Sequence, residues 1–278
     1  MGTNEPEGLP ELLARLTTQQ QEIARARPLP EPTLLSMMDD FLIRYAHETT
    51  AIEGNTLTLH ETQVVLEHGI TIGGKTLREH FEVVNIRSAW EWLQDIVRNR
   101  TALTEETILT LHRLITQGIL GPETGRYRTV PVYIRNSMHV PANPVKVPDL
   151  MADFIERFRE RKVDEHPIRY AARAHIDLAG IHPFIDGNGR VSRMLVNLLL
   201  MRDGYPPALY TMTSRGEYMR TLEIAQYRGD IEPFVRVTAE AIRFMIDRYL
   251  HAIEQTRQAD AHYRPRTPPR DQDRGIDR

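Results

Sequence analysis

The chain has 278 residues, with 35 basic and 38 acidic side chains and a net charge of −3 at neutral pH. That length suffices to bury the core of one large domain or two small ones. The balanced charge excludes the basic surface typical of proteins that bind nucleic acid or anionic membranes. The sequence has no cysteine, which excludes disulfides and thiolate metal sites.

The N-terminus and the apolar runs indicate a soluble, cytoplasmic protein. Residues Met1 to Pro10 contain neither the basic nor the apolar stretch of a secretory signal. The longest apolar run, Met194 to Met201, is interrupted by Asn197 and is too short to span a bilayer. We therefore expect no membrane association.

Apolar side chains recur at helical spacing along most of the chain, so we expect an all-α fold. The predicted helices cover Leu9–Ala26, Leu34–Ile52, Leu59–His68, Leu77–Val97, Thr104–Thr116, Val147–Lys162, His166–Ile181, Asn188–Arg202, Ser214–Gln226 and Ile231–Gln258. Three prolines between Arg27 and Pro32 indicate a linker. The run Met194 to Met201 is apolar on almost every face, which predicts a central buried helix.

Two regions depart from the helical pattern. The runs Thr129–Ile134 and Met138–Val140 are rich in β-formers and predict a small β-hairpin, with a plain connecting loop as the alternative. Because Pro131 has no N–H to donate, its strand belongs at an edge, where it is free to pair with an extended peptide. The end of the chain, Tyr263 to Arg278, has almost no apolar residue and is predicted to be disordered.

The segment from His182 to Arg193, of sequence His-Pro-Phe-Ile-Asp-Gly-Asn-Gly-Arg-Val-Ser-Arg, has a backbone suited to binding an anion. Gly187 and Gly189 allow tight turns and let a ligand approach the main chain closely. The amides of this turn and of the helix that follows would then point outward as an anion site.

The side chains of the same segment suit phosphate chemistry. Arg190 and Arg193 are three residues apart on one helix face and can reach phosphate oxygens. Asp186 is a hard oxygen ligand suited to Mg²⁺ that bridges phosphates, and His182 has the near-neutral pKa of a general base. Singly, each has an ordinary structural explanation; together they predict phosphoryl or nucleotidyl transfer.

The segment matches the signature of the Fic family, His-Pro-Phe-x-(Asp/Glu)-Gly-Asn-Gly-Arg-x-x-Arg, at every fixed position. The resemblance extends from about Leu34 to Tyr249. It includes Leu103-Thr104 through His112, Gly125-Arg126-Tyr127-Arg128, His166-Pro167 through His175, and Gly229-Asp230 with Pro233-Phe234. The chain resembles bacterial Fic proteins and the branch that includes the animal endoplasmic-reticulum enzyme. This implies a multi-helix Fic fold with a β-hairpin flap.

The resemblance implies a protein adenylyltransferase that uses ATP and Mg²⁺. His182 would deprotonate a Ser, Thr or Tyr hydroxyl of a target protein, which then attacks the α-phosphorus of ATP. Mg²⁺ would sit on Asp186, and the triphosphate would lie over the turn that begins at Gly187. Asn188 and Arg190 would hold the α- and β-phosphates.

Two further signature positions carry implications of the same kind. Arg193 would hold the γ-phosphate. Gly189 favours AMP transfer, because related Doc-type kinases typically have lysine at that position.

Tyr218 and Gln226 lie where relatives contact adenine, and Met219 replaces a second tyrosine of the animal enzyme. The flap residues that would align the target are Thr129, Val130, Val132 and Tyr133.

The segment from Thr49 to Gly54 resembles the inhibitory motif (Ser/Thr)-x-x-x-Glu-(Gly/Asn) of class II Fic proteins. In that family the glutamate, here Glu53, pairs with the second arginine of the signature, here Arg193. The pair removes a γ-phosphate ligand and places negative charge where the triphosphate should lie. In some family members the same glutamate supports removal of AMP from the target. The alternative interpretation is a surface glutamate near a helix end.

We expect four segments: an N-terminal helix and linker at 1–33, the inhibitory helix region at 34–58, the Fic catalytic domain at 59–260, and a disordered tail at 261–278. The expected partners are ATP and a hydroxyl-bearing target protein, with homodimer formation as a further option taken from relatives. Two alternatives stay open. One is transfer of another group, such as UMP or phosphocholine; the other is a non-catalytic module that senses nucleotide.

Overall fold

The computed structural model describes residues 7–134 and 137–262, which form helices joined by short loops. The helices are α1 (Leu9–Ala26), α2 (Glu31–Ala51), α3 (Leu59–His68), α4 (Leu77–Arg98), α5 (Glu105–Thr116), α6 (Val147–Phe158), α7 (Pro167–Ile181), α8 (Asn188–Arg202), α9 (Arg215–Arg228) and α10 (Glu232–His262). No strand occurs in these two ranges. The predicted all-α class is confirmed.

Threonine side chains define where three of the helices begin. Thr58, Thr76 and Thr104 each form a capping box at the start of α3, α4 and α5, in which the side chain accepts from the third helical amide. At the other end, α3 and α9 stop at Gly69 and Gly229 in the left-handed conformation. Local sequence alone therefore sets these boundaries.

Helix α8 is the centre of the core, as its apolar run predicts. Its residues from Met194 to Leu200 are buried, and the helix packs against α2, α4, α5 and α7. Asn197, which interrupts the apolar run, exchanges two hydrogen bonds with the backbone of Ala208, at 2.7 and 3.3 Å. Its amide is thus satisfied inside the core, as burial of a polar group requires.

An aromatic cluster fixes α2 against α4. The ring centroids of Phe41 and Tyr45 lie 5.1 and 5.4 Å from that of Trp90, and all three side chains are buried. Aromatic pairs at such distances add packing energy beyond the area they bury. The C-terminal end of α2, which leads to Glu53, is thereby held against the start of α8.

Several boundaries differ from the prediction. Helix α2 starts at Glu31, because Pro32 lies in its first turn, where a proline is accepted, so the linker is shorter than expected. Helix α6 stops at Phe158 and does not reach Lys162. The tail that we predict to be disordered, 263–278, lies outside the described residues. The division into four segments stays a prediction.

The predicted β-hairpin has no strand in its described parts, 129–134 and 137–140, so in those parts the prediction is wrong. Side chains satisfy the main chain there: Arg128 donates to the Val130 carbonyl, and Glu223 accepts from the Met138 amide. The physical reason is that Pro131 offers no donor and these groups have other partners. Residues 135–136 lie outside the described residues.

None of the helices in the described part of the chain combines the length and the apolar character that crossing a bilayer requires.

Candidate active site

His182 ends α7 in a conformation that few non-glycine residues adopt. Its φ is 53° and its ψ 59°, in the left-handed region, and its amide donates to the Leu178 carbonyl at 3.0 Å. The imidazole Nδ1 lies 3.3 Å from the Ala179 carbonyl. If Nδ1 carries the proton for that contact, Nε2 has a free lone pair. This is the form that a general base needs.

Burial lowers the pKa of His182 to about 4, and the charge on Arg128 acts in the same direction, against the Ala179 contact and Glu53, which raise it. The imidazole is therefore neutral at pH 7 and able to accept a proton.

The N-terminus of α8 has no side-chain cap. Gly187 precedes the helix with a φ of 85°. The first helical bond runs from the Val191 amide to the Gly187 carbonyl, at 2.9 Å, so the amides of residues 188–190 have no partner within the helix. Unpaired amides and the helix dipole together favour a phosphate at this position.

Side chains within and below the motif hold its loop in shape. The Asn188 carboxamide donates to the Phe184 carbonyl at 2.9 Å and accepts from the Phe184 amide at 3.0 Å. His112 stacks on the Phe184 ring with centroids 3.7 Å apart, and its Nε2 lies 3.0 Å from the Asp186 carbonyl. The Asn188 side chain is thus used within the loop, and only its backbone amide is placed for a phosphate.

Arg190 is buried at the motif and pairs with carboxylates there, and its role toward phosphates stays a prediction. It is 1% exposed, and its guanidinium pairs with Glu82 at 3.2 Å and with Asp186 at 3.3 Å. Arg78 pairs with the same two carboxylates. Glu82 has no signal in the sequence, because only the packing of α4 against α8 brings it to the motif.

Arg193 and Glu53 meet as the resemblance predicts. The guanidinium is 1% exposed and contacts the Glu53 carboxylate at 2.8 Å. It also donates to the hydroxyl and the carbonyl of Thr49, both at 2.8 Å, and to the Tyr218 hydroxyl at 3.2 Å. Each of the three guanidinium nitrogens of Arg193 therefore donates to at least one protein group.

The Glu53 carboxylate lies over the start of α8. A Cβ added to Gly189 would come within 2.3 Å of Glu53 Oε1 and 3.1 Å of Arg193 Nη1. The carboxylate thus lies beside Gly189, in the first turn of α8, where the helix dipole favours an anion.

Two further hydrogen bonds hold the end of α2, one to Met212 before α9 and one to Arg215 at the start of α9. Glu48 Oε2 accepts from the Met212 amide at 2.6 Å, and Arg215 Nε donates to the Ile52 carbonyl at 2.9 Å. Glu53 directly follows this last turn of α2, so its position depends on the contacts of Glu48 and Ile52.

A cavity of about 390 Å³ opens beside these groups. Among the residues that line it are His182, Asn188, Gly189, Tyr218 and Gln226. The structure therefore brings these five residues to one cavity, and the role of each toward a nucleotide stays a prediction. The mostly apolar side wall, with a few polar groups, is typical of a small-molecule site.

The four expected flap residues do not line this cavity: Thr129, Val130, Val132 and Tyr133. Tyr133 is 90% exposed, and from the same stretch Ile134 and Ser137 contribute to the lining. Their role toward a target stays a prediction.

Two buried histidines near the site make the fold sensitive to acid. His112 and His175 are fully buried, and burial lowers their pKa from 6.5 to about 4 and about 3. Above pH 6.5 both are neutral in the folded and the unfolded chain. As the pH falls below 6.5, the unfolded chain takes up protons first, so folding stability is lost down to the folded-state pKa.

We expect the free energy of unfolding to fall by several kcal/mol between pH 7 and pH 5, at roughly 1.4 kcal/mol per pKa unit and histidine. Urea unfolding at the two pH values measures this. The variants His112→Gln and His175→Gln should each show a smaller loss than the parent. Equal stability of the parent at both pH values would contradict the assignment.

Comparison with known proteins agrees with this site. The profile of the Fic/DOC family matches residues 102–200. Protein adenylyltransferase fic-1 of Caenorhabditis elegans is 37% identical over 224 residues, which cover 80% of this chain and 44% of the relative. Protein adenylyltransferase Fic of Drosophila ananassae is 40% identical over 211 residues, 75% of this chain and 42% of the relative. The chain thus spans less than half the length of these relatives.

Solved structures give the same result for the fold. A fragment of Fic-1 from C. elegans superposes with a TM-score of 0.81 at 33% identity, covering 89% of this chain and 73% of that chain. A Fic domain-containing signaling protein from Bacteroides thetaiotaomicron gives 0.78 at 26% identity, covering 89% and 97%. The fold and site define a helical protein in which an uncapped helix start borders a cavity. The chain belongs to the Fic/DOC family.

Proposed function

We propose that this chain is a protein adenylyltransferase that moves AMP from ATP to a Ser, Thr or Tyr hydroxyl of a target protein. The observation that carries the proposal is that a neutral imidazole, His182, and an uncapped helix start border the same cavity. The names of the Caenorhabditis and Drosophila relatives support it.

The chemistry follows from the placement of these groups. His182 Nε2 accepts the proton of the target hydroxyl, and the hydroxyl oxygen forms a bond to the α-phosphorus. The bond from the α-phosphorus to the bridging oxygen breaks, and its electron pair leaves with pyrophosphate. The amides of residues 188–190 stabilise the charge on the phosphates without having to reorganise.

Asp186 fits a Mg²⁺ ion whose other ligands come from the substrate. No cluster of three or more metal-binding side chains occurs among the described residues. Burial raises the pKa of Asp186, but Arg190, the Gly187 amide and Arg78 outweigh it and hold the pKa below its ordinary value. One ionised carboxylate plus phosphates and water is a usual Mg²⁺ environment. The ion would neutralise phosphate charge.

Glu53 is proposed to inhibit this activity. Its carboxylate pairs with Arg193 and lies over Gly189, where phosphate charge would be bound. Release would free the Arg193 guanidinium for the γ-phosphate and remove like-charge repulsion. Removal of AMP from a target by the same carboxylate is a second proposal that rests on the resemblance alone.

Mass spectrometry of the Glu53→Gly protein tests the transferred group. The protein is incubated with Mg²⁺ and an equimolar mixture of ATP, GTP, CTP and UTP. We expect a covalent adenylyl adduct on a hydroxyl side chain. A uridylyl or phosphoryl adduct would assign a different transfer, and nucleotide binding without any adduct would assign a sensing module; either outcome overturns the proposal.

A further inference from the structure

A buried guanidinium lies directly behind the turn that carries His182. Arg128 is 1% exposed, and within 7–134 and 137–262 no carboxylate lies at ion-pair distance from it. Its nitrogens donate to main-chain carbonyls: Nε to His182 at 2.7 Å, Nη1 to Val130 at 3.1 Å and Nη2 to Ala142 at 2.5 Å. Its own amide donates to the Pro183 carbonyl at 2.9 Å.

Burying this guanidinium without a carboxylate partner costs free energy. Moving a charge out of water costs several kcal/mol unless it is paired, and carbonyl oxygens compensate only in part. Burial accordingly lowers the pKa of Arg128. An apolar side chain of similar length would pack without that cost. The hydrogen bonds that the guanidinium makes should therefore have a role of their own.

The Arg128 guanidinium holds the backbone of His182, the proposed general base. His182 has a φ of 53°, a conformation that costs free energy for a residue with a side chain. Arg128 fixes this turn from behind by the bond to the His182 carbonyl and the bond to Pro183. The direction of the imidazole follows from the backbone of its own residue, so this contact bears on the catalytic geometry.

The same guanidinium also fixes two points outside the turn. Val130 and Ala142 stand on either side of Ile134 and Ser137, which line the cavity. One planar fork therefore links the turn that carries the base to the segment that supplies Ile134 and Ser137 to the cavity. Lysine cannot do this, because a single ammonium lacks the fixed fork of donors.

We propose that Arg128 is a positioning residue of the transfer reaction, which locks the His182 backbone and the residues Val130 and Ala142 in one relative geometry. The proposal rests on the proposed function. Arg128 does not line the nucleotide cavity, so it acts on the rate of transfer and not on ATP affinity.

Arg128→Lys in the Glu53→Gly background tests this, with Arg126→Lys as the matched control. Arg126 lies two residues away in the same loop and is exposed. We expect Arg128→Lys to lower kcat by about 10- to 100-fold, the scale of a misplacement near 1 Å. The KM for ATP should change less than about twofold, and Arg126→Lys should match the parent in both constants.

The imidazole ¹⁵N resonances of His182, assigned by comparison with His182→Asn, give a readout that needs no activity. Arg128→Lys should shift them and Arg126→Lys should not. The proposal is overturned if Arg128→Lys keeps kcat within twofold with unshifted resonances, or if kcat and ATP affinity fall together. If the Glu53→Gly parent transfers nothing, the proposed function fails, whereas the resonances still test the contact of Arg128 with the turn.

Discussion

Replacing Glu53 by glycine is expected to raise the rate of AMP transfer, measured as self-modification, by about a hundredfold. The carboxylate pairs with a buried guanidinium, Arg193, and breaking such a pair is worth roughly 3 kcal/mol or more. At 1.4 kcal/mol per factor of ten, this corresponds to about two decades. The freed guanidinium and the amides at the start of α8 then bind the triphosphate in the productive position.

Glu53→Gln is the matched control. The amide keeps the size of the side chain and a hydrogen bond to Arg193 but loses the negative charge, so its rate should lie between those of the parent and Glu53→Gly. The Glu53→Gly protein should also unfold at a lower temperature, because Arg193 loses the carboxylate that it contacts. A Glu53→Gly rate equal to the parent rate, with ATP bound, would refute the inhibitory role.

Removing the imidazole of His182 is expected to lower AMP transfer by about 10²- to 10⁴-fold in the Glu53→Gly background, the usual contribution of a general base. His182→Asn is the preferred variant. Asparagine adopts the left-handed backbone more readily than alanine does, so the turn should keep its shape.

The reason for the expected loss is that His182 is the only histidine among the described residues that line the cavity. ATP binding, measured by calorimetry, should stay within a few-fold of the parent, because the amides at the start of α8 and Arg193 are unchanged. His182→Ala should lose at least as much activity. A His182→Asn protein that transfers AMP within tenfold of its parent would show that the base lies elsewhere.

Much of the fold and of the site follows from the sequence because the signals are local. The apolar run in α8 predicts a central helix, and capping threonines mark where α3 to α5 begin. The glycines of the motif predict an open helix start, which the structure has at Gly187. The Glu53 contact with Arg193 follows from the family resemblance, whereas the resemblance does not predict the Thr49 contact with Arg193.

The rest depends on partners that are distant in the chain. Arg190 pairs with Glu82, on α4, a partner that the sequence does not indicate. Asn188 is used within the loop because Phe184 offers both a donor and an acceptor. His112 supports the loop from α5, and neither its spacing nor its neighbours in the sequence indicate this.

The prediction of a hairpin is wrong in the described part of region 129–140 for a different reason: it rests on local β propensity alone. β-Formers on both sides predict a hairpin, yet a ladder needs cross-strand partners as well as propensity. In the described part of this region, Arg128 and Glu223 take the main-chain bonds. Propensity without a partner strand gives an extended loop.

The most direct test of the central claim, that AMP is transferred from ATP at His182, is label transfer to the Glu53→Gly protein. Two parallel incubations with Mg²⁺ use ATP labelled at the α- or the γ-phosphate. The account predicts label on the protein from the α-phosphate alone, and a rate of α-labelling at least a hundredfold lower in Glu53→Gly with His182→Asn. Label from the γ-phosphate, or α-labelling that stays within tenfold of the parent after loss of the imidazole, would contradict it.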